Sequence, residues 1–336
     1  MTKQLLFFIL LLSLTPRIGA QDTVPALQRP TALERFLTPA DTFNKKRFFI
    51  SAGAAAGLYG AFSVGLWQAW YKETSLSRFH FFNDWHEWQQ VDKAGHAYTA
   101  YNYSRWAFQG ARWTGMRRHR AAWAAAGVGM LLQSTTEVMD GFAAKWGFSW
   151  GDMSFNVLGC ALFAGQELTW GEQRITMKVS SDPVPIPEMR LDGVGHPGFT
   201  TVARRREELF GRTYAERFIK DYNAQVNWLS FNIKSLAPHT RIPPWLNISL
   251  GYGAANMLAG EGYEWTGKDG LRYRVDPLVL PRYRRFFLST DIELTKLPIK
   301  NRVIKTLLYG IHHFKFPGPA LEVNSLGKVR FHALFW

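Results

Sequence analysis

Three short stretches hold the ionisable residues whose spacing could support chemistry. In V-D-K-A-G-H-A-Y, Val91 to Tyr98, Asp92 and His96 stand four residues apart with Lys93 between them. On a helix that spacing puts the carboxylate and the imidazole on one face and turns Lys93 about 100° away. In T-E-V-M-D-G-F, Glu137 and Asp140 are three apart and again share a face. In W-G-D-M-S-F-N-V-L-G, Asp152, Asn156 and Gly159 fall at i, i+4 and i+7, a polar stripe along one side. Such a set could bind a divalent metal through Asp92, His96, Glu137, Asp140 or Asp152. It could equally run general acid/base chemistry, with Lys93 holding an anionic group and His96 or Glu137 moving a proton. The assignment made from these residues is acid/base: His96, Glu137, Asp140 and Asp92 as catalytic groups, and Lys93, Asp152 and Asn156 as substrate-binding groups. No metal ligand is assigned, and the cofactor is left unknown.

Each of these residues also has an ordinary structural role open to it. Asp92 and Asp152 can act as helix N-caps, and a histidine near a helix start is commonly a hydrogen-bonded residue and nothing more. Glu137 and Asp140 can be solvated groups at a helix end, although acids there oppose the helix dipole and call for a cation such as Lys93 or Lys145. Gly159 can permit close helix packing. The arginines at 112, 117, 118 and 120 read as a wetted, phosphate-facing loop.

What gathers the three stretches is the order of apolar segments around them. Ile50 to Tyr71 runs without a charge, long enough at about 1.5 Å per residue to cross a hydrocarbon core. Lys45, Lys46 and Arg47 flank it on one side, and Trp67, Trp70 and Tyr71 stand at the other. Three less apolar segments follow, about Ala94 to Gly110, Ala121 to Thr136 and Met153 to Trp170. They carry Asn102, Arg105, Gln166 and Glu167, so they are either helices of a bundle whose lipid contacts lie elsewhere or core helices of a soluble bundle. The first of these three starts at its polar cluster, the next ends at one, and the last starts at one. Antiparallel packing through short connections therefore brings all the clusters to one end.

The composition sets the compartment. The 336-residue chain is 47% apolar and 15% aromatic with 14 Trp, at a formal net charge of +14. Trp and Tyr at that level are usual where protein meets lipid. Residues 1–20 have a signal-peptide layout: Lys3, an apolar run from Leu5 to Leu14, then Gly19 and Ala20. Cleavage after Ala20 removes two basic residues and no acids, so +14 becomes +12. An exported chain seldom meets nucleic acid, so the expected partner is membrane lipid, its anionic headgroups matching that charge. Cys160 is the sole cysteine, which excludes an intrachain disulfide and leaves no cysteine after the signal region for lipid attachment.

Residues 21–44 read as a disordered lead-in. Residues 176–200, with D-P-V-P-I-P, read as a linker. Thr201 to Leu229 reads as an amphipathic helix, and the alternations W-L-N-I-S-L-G-Y-G, R-R-F-F-L-S-T-D-I-E-L-T and K-V-R-F-H-A-L-F-W read as strands. The terminal Phe335-Trp336 resembles the aromatic end of outer-membrane barrel strands, but three or four strands cannot close a barrel of eight or more. The expected fold is mainly α: a membrane-associated antiparallel helical bundle of about four apolar segments over residues 45–175. A small C-terminal antiparallel β region follows, with the amphipathic helix, over residues 201–336.

The motifs D-K-A-G-H-A-Y, T-E-V-M-D and G-F-S-W-G-D-M-S-F-N-V-L-G together resemble the YfiM-like predicted periplasmic lipoproteins, a family of unknown function, over about Asp84 to Trp170. The strand-rich tail looks like that of longer, Bacteroidetes-type members. Asp92, Lys93, His96, Glu137, Asp152, Asn156 and Gly159 are also loosely similar to the VanZ-like membrane proteins, a group tied to glycopeptide resistance and envelope lipids. That group carries an Arg before the third-element Asp, where this chain has Phe148, Ser149 and Trp150. The missing lipobox cysteine departs from the lipoprotein pattern, so an anchor would have to be Ile50 to Tyr71.

The positive-inside rule places the arginine loop in the cytoplasm, whereas a cleaved signal peptide would reverse the orientation. Either the N-terminal run stays uncleaved or not all four segments span. The expected arrangement is a partly embedded bundle facing the periplasm. The functional expectation is a cell-envelope protein that binds or processes an anionic lipid or lipid-linked phosphate in the clustered pocket. The alternative is a non-catalytic scaffold. No G-x-S-x-G, H-E-x-x-H or P-loop pattern occurs to support a soluble hydrolase.

Overall fold

In the computed structural model, residues 31–72, 74–182 and 185–336 are described. The expected signal peptide lies outside them. The chain divides into two units between Phe36 and Leu37, and of the first only residues 31–36 are described. Helix α1, Ala32–Leu37, begins in the first unit. There the Thr31 amide donates to Glu34 Oε2 at 2.9 Å, and the Glu34 amide to Thr31 Oγ1 at 3.2 Å.

The second unit opens on helix α2, Lys45–Leu66. Asn44 caps it by accepting from the Arg47 amide at 3.0 Å. An 18-residue window of this 22-residue helix has a mean hydropathy of 1.5, and none of its residues is buried. Among the described residues this is the one helix long and apolar enough to cross a membrane. The tail of the expected span, Trp67–Tyr71, continues as a wider π-helical turn.

Helices α3 (Val91–Trp113), α4 (Arg118–Gly141) and α5 (Trp150–Thr169) pack as a three-helix bundle. Small residues set its spacing. A Cβ on Gly159 of α5 would lie 2.2 Å from the Ala97 carbonyl oxygen of α3, and one on Gly129 of α4 would lie 2.3 Å from Ser104 Oγ. Glycine is required where backbones approach this closely. Ala97, Tyr101, Phe108, Ala122, Ala125 and Phe163 fill the core between the helices.

The expectation of a four-segment apolar membrane bundle with a small β appendage is overturned. The described residues are 45% helix and 22% strand, with a six-stranded antiparallel sheet and, among them, a single candidate membrane helix. The polar residues within the three later segments explain why. Asn102 Nδ2 donates to the Met177 carbonyl at 3.2 Å, Tyr101 Oη donates to Gln173 Oε1 at 2.9 Å, and Gln166 Oε1 accepts from the Arg174 and Ile175 amides. These groups tie the helices to the first strand and need no lipid environment.

That sheet runs in the order β1 (Ile175–Ser181), β4 (Gln225–Asn232), β5 (Leu246–Ala255), β8 (Tyr283–Ile292), β9 (Gly318–Asn324), β10 (Val329–Phe335). Two small hairpin pairs, β2 (Arg190–Asp192) with β3 (Phe199–Thr201) and β6 (Glu264–Thr266) with β7 (Arg272–Arg274), lie outside it. Strand β1 begins at the end of the segment read as bundle and runs into the stretch read as linker. The helix expected over Thr201 to Leu229 is two short helices, α6 (Val202–Phe210) and α7 (Tyr214–Lys220), followed by β4. Gly211, at φ 82°, ends α6 because an L side chain rarely adopts that conformation. Helix α8 (Ile233–Leu236) follows β4, and α9 (Arg302–Ile311) follows β8.

The sheet is strongly curled. Trp228 on β4 lies 6.0 Å from Phe335 on β10, ring centroid to centroid, although three strands separate them in the sheet. Phe287 fills the space between, 5.5 Å from Trp228 and 4.7 Å from Phe335. Residues 313–315 extend the other edge, where the Lys315 amide donates to the Val179 carbonyl at 2.9 Å.

Candidate functional site

Helix direction does bring the three polar stretches together. Asp92, Lys93 and His96 lie in the first two turns of α3, Glu137 and Asp140 in the last turn of α4, and Asp152 and Asn156 at the start of α5. Neither Asp92 nor Asp152 is an N-cap. The cap of α3 is Gln90, which makes no side-chain capping bond, and the cap of α5 is Ser149, whose Oγ accepts from the Asp152 amide at 3.1 Å. Both acids are therefore free to face the cluster.

Lys93 is buried to 1% exposure among carboxylates. Its ammonium lies 2.7 Å from Asp84, 2.7 Å from Asp152 and 3.3 Å from Asp92. Three carboxylates around three N–H donors leave little for an incoming anion, so Lys93 serves the site as an internal counter-ion. Its pKa is raised: burial alone would lower it, and the surrounding acids overcome that.

The His96 ring is the hub. Nδ1 lies 3.1 Å from Asn156 Oδ1 and 3.4 Å from Glu137 Oε1, and Nε2 lies 3.6 Å from Asp152 and 3.9 Å from Asp92. Gln133 Nε2 fixes Asn156 by donating to its Oδ1 at 2.8 Å. Glu137 is buried, accepts from the Ser149 amide at 3.3 Å through Oε2, and has no hydrogen-bond partner on Oε1.

The charges do not balance internally. Asp84, Asp92, Glu137, Asp140 and Asp152 face one ammonium and one imidazole. Burial pushes Glu137 up to about 8, Asp140 to about 7 and Asp152 to about 9, the last helped by Asp92 and Asp84 beside it. Asp84 and Asp92 stay low despite burial: Asp84 accepts from Asp152 and Lys93, while His96, Lys93 and the Tyr222 hydroxyl favour ionised Asp92. Excess negative charge in a low-dielectric site must be met by protons or by a bound cation.

Asp140 gives this a pH signature. Its folded pKa, about 7, is above the ordinary carboxylate value of 3.8, so the stability it contributes is complete below about pH 4. That contribution is lost as pH rises toward 7. Asp140→Asn, which can still accept from Tyr71 Oη at the 2.6 Å contact, is expected to flatten the decline in stability over this window. Urea denaturation of wild type and variant at a series of pH values checks it, and parallel curves would refute it.

Five site residues escaped the sequence reading: Asp84, Ser149, Gln133, Tyr71 and Tyr222. Ser149 carried a signal, since a Ser three residues before an acid is a capping pattern. Tyr222, whose hydroxyl donates to Asp92 Oδ1 at 2.6 Å from 130 residues away, carried none.

The turn leading into α3 is strained. Trp88, Gln89 and Gln90 have φ of 48°, 51° and 60°, each in a left-handed region that costs a non-glycine residue about 1–2 kcal/mol. Contacts from distant parts of the chain hold them. Trp88 N donates to the Gly260 carbonyl at 2.7 Å, Arg284 Nη2 donates to Gln90 Oε1 at 2.7 Å, and the Tyr252 hydroxyl donates to the Gln89 carbonyl. Asp84 and Asp92 sit on either side of this turn, so the sheet helps set their separation.

No curated protein and no solved structure matches the chain. Residues 80–165, which hold Asp84, Asp92, Lys93, His96, Glu137, Asp140, Ser149, Asp152 and Asn156, match the model of a family described as predicted periplasmic lipoprotein (DUF2279), in keeping with a membrane-associated place in the bacterial cell envelope.

Proposed function

We propose that the cluster binds a divalent cation through Asp92, His96 and Asp152, and through it the phosphate of an anionic envelope lipid or lipid-linked phosphate. One observation carries the reading: a ligand atom from each of these three residues lies within 4.8 Å of the others. An imidazole and two carboxylates at that spacing suit a metal that keeps open positions for water or substrate. An acid-rich pocket repels a phosphate, and a divalent cation reverses that sign. Bound there, the ion would supply Lewis-acid polarisation of a phosphoryl oxygen. Glu137, with its unpartnered Oε1 3.4 Å from His96 Nδ1, is the group of this chain placed to hold or move a proton.

The lipid class rests on the surroundings. Phe79, Phe81, Phe82 and Trp85 on the segment that carries Asp84, and Phe142 and Trp150 near Ser149, are all exposed. Aromatic side chains clustered at a polar site mouth match the headgroup layer of a bilayer. The loose resemblance to the VanZ-like membrane proteins, a group tied to envelope lipids, points to the same ligand class.

Calorimetric titration of Zn²⁺, Mn²⁺ or Mg²⁺ into chelator-treated, full-length protein in detergent tests the proposal. Saturable binding at one ion per chain is expected, weakened at least about tenfold in His96→Ala. Phosphatidylglycerol mixed micelles should tighten metal binding. Absence of binding, or equal affinity in the variant, would leave the cluster as a device that pins helix ends.

A further inference from the structure

We infer that the convex face of the curled sheet lies against the acyl chains of one membrane leaflet. The register sets one straight apolar row across all six strands: Met177, Leu229, Leu250, Leu288, Leu321 and Phe331. A second row on the same face runs through Tyr252, Phe286, Val323 and Val329. Coverage changes along the first row. Met177 packs on the helical core at 8% exposure, whereas Leu229, Leu250, Leu288, Leu321 and Phe331 are exposed at 37%, 50%, 50%, 42% and 68%. The helices thus cover the β1 side of this face and leave the rest open.

The concave face is mixed, with buried charges set beside the Trp228, Phe287 and Phe335 cluster. Lys178 and Asp291 form an ion pair at 2.7 Å with both side chains at 0% exposure, and Arg285 pairs with Glu322 at 2.7 Å. Ser230, Ser249 and Ser289 are buried beside them. A water-facing antiparallel sheet alternates apolar-in and polar-out. This one carries its exposed apolar rows on the outside, over an interior of ion pairs, serines and the Trp228 cluster, as do strands whose outer face meets lipid.

Neighbouring features favour lipid over a second copy of the chain. Helix α9 exposes Ile304, Leu307 and Ile311 at i, i+3 and i+7, with exposed Arg302 and Lys305 beside them. A basic amphipathic helix of this kind lies in the membrane interface. The chain's net charge of +14 favours an anionic surface.

Geometry limits the depth. Ile248, Leu250 and Tyr252 mark the height of the apolar band on β5, and four residues at about 3.3 Å each give roughly 13 Å. That is near half of a hydrocarbon core of about 30 Å. Strand β10 ends the sheet and breaks register between His332 and Phe335. An open edge cannot cross a whole bilayer, because its backbone groups would be left unpaired.

Full-length protein carrying Leu288→Cys or Leu321→Cys, labelled with an environment-sensitive fluorophore, tests the inference. Both positions are exposed, so the fold should tolerate the change, and the native thiol, Cys160, is buried. In vesicles of phosphatidylethanolamine and phosphatidylglycerol, a blue shift and loss of emission to acyl-chain nitroxides are expected at both sites. A label at Lys268→Cys, on the exposed β6–β7 turn, should keep its aqueous emission. Aqueous emission at 288 and 321 in vesicle-bound protein would overturn the inference. So would cysteine-to-cysteine crosslinking between copies at these sites, which would show the face covered by protein. Both outcomes are independent of metal binding at His96.

Discussion

Lys93→Met is expected to lower the unfolding free energy by about 3–5 kcal/mol, the usual cost of removing one partner from a buried ionic cluster. The replacement keeps the length and apolar stem of the side chain, so the effect reports the charge. Without the ammonium, Asp84, Asp92 and Asp152 face one another with no internal cation. Asp84 and Asp92, now held low partly by Lys93, must then take up protons or separate. Lys93→Arg should rescue little. A Cβ at Gly151 would already lie 3.1 Å from Lys93 Cε, so a bulkier guanidinium meets a closely packed wall, and its planar fork does not match three converging carboxylates. Urea denaturation in detergent, followed by tryptophan emission, measures the change. A loss below about 1 kcal/mol would mean that the cluster is already neutralised by protons and that Lys93 is dispensable.

Lys178→Met should cost a similar amount, about 3–5 kcal/mol, at the buried ion pair with Asp291. Asp291 would retain the Ser230 hydroxyl at 2.7 Å and the Phe316 amide at 2.8 Å but lose its cation. Lys315 is poorly placed to substitute, because its ammonium donates to the Phe316 carbonyl at 2.9 Å and lies 4.8 Å from the Trp228 ring centroid. The joint change Lys178→Met with Asp291→Leu should recover most of the loss, since replacing both members of a buried pair by apolar groups is often nearly neutral. A double variant no more stable than the single one would show that Asp291 is needed for its bonds to Ser230 and Phe316. In that case the curl of the sheet rests on the hydrogen-bond network itself.

Much of the site could be seen in the chain before folding. Spacings of three and four residues define helix faces, and short connections force neighbouring helices to run antiparallel. Those two facts were enough to bring His96 to Glu137 and Asp152. Lys93 was harder. Its expected turn away from Asp92 holds for an isolated helix, but the long side chain reaches back to Asp84 and Asp152, and only packed neighbours reveal that reach. That reach sets Lys93 among Asp84, Asp92 and Asp152 as their counter-ion.

The sheet was underestimated because its strands do not advertise a water-facing pattern. Gln225–Asn232 carries Asn227, Trp228 and Ser230, all buried, and its polar residues blended into an apparent amphipathic helix. Ile175–Ser181 packs against helices on one face and a polar interior on the other, so no clean alternation marks it.

Local pattern and composition thus contained the envelope location, an apolar helix over Ile50 to Tyr71, and the meeting of acids and imidazole at one end of a bundle. These depend on periodicity and charge, which act over a few residues. The curl of the sheet, the left-handed turn at Trp88–Gln90 and the Tyr222 bond to Asp92 depend on contacts between residues far apart in the chain. A strained turn persists only where distant groups such as Gly260 and Arg284 hold it. A buried charge is tolerated only where folding delivers its counter-ion, and no local pattern specifies either.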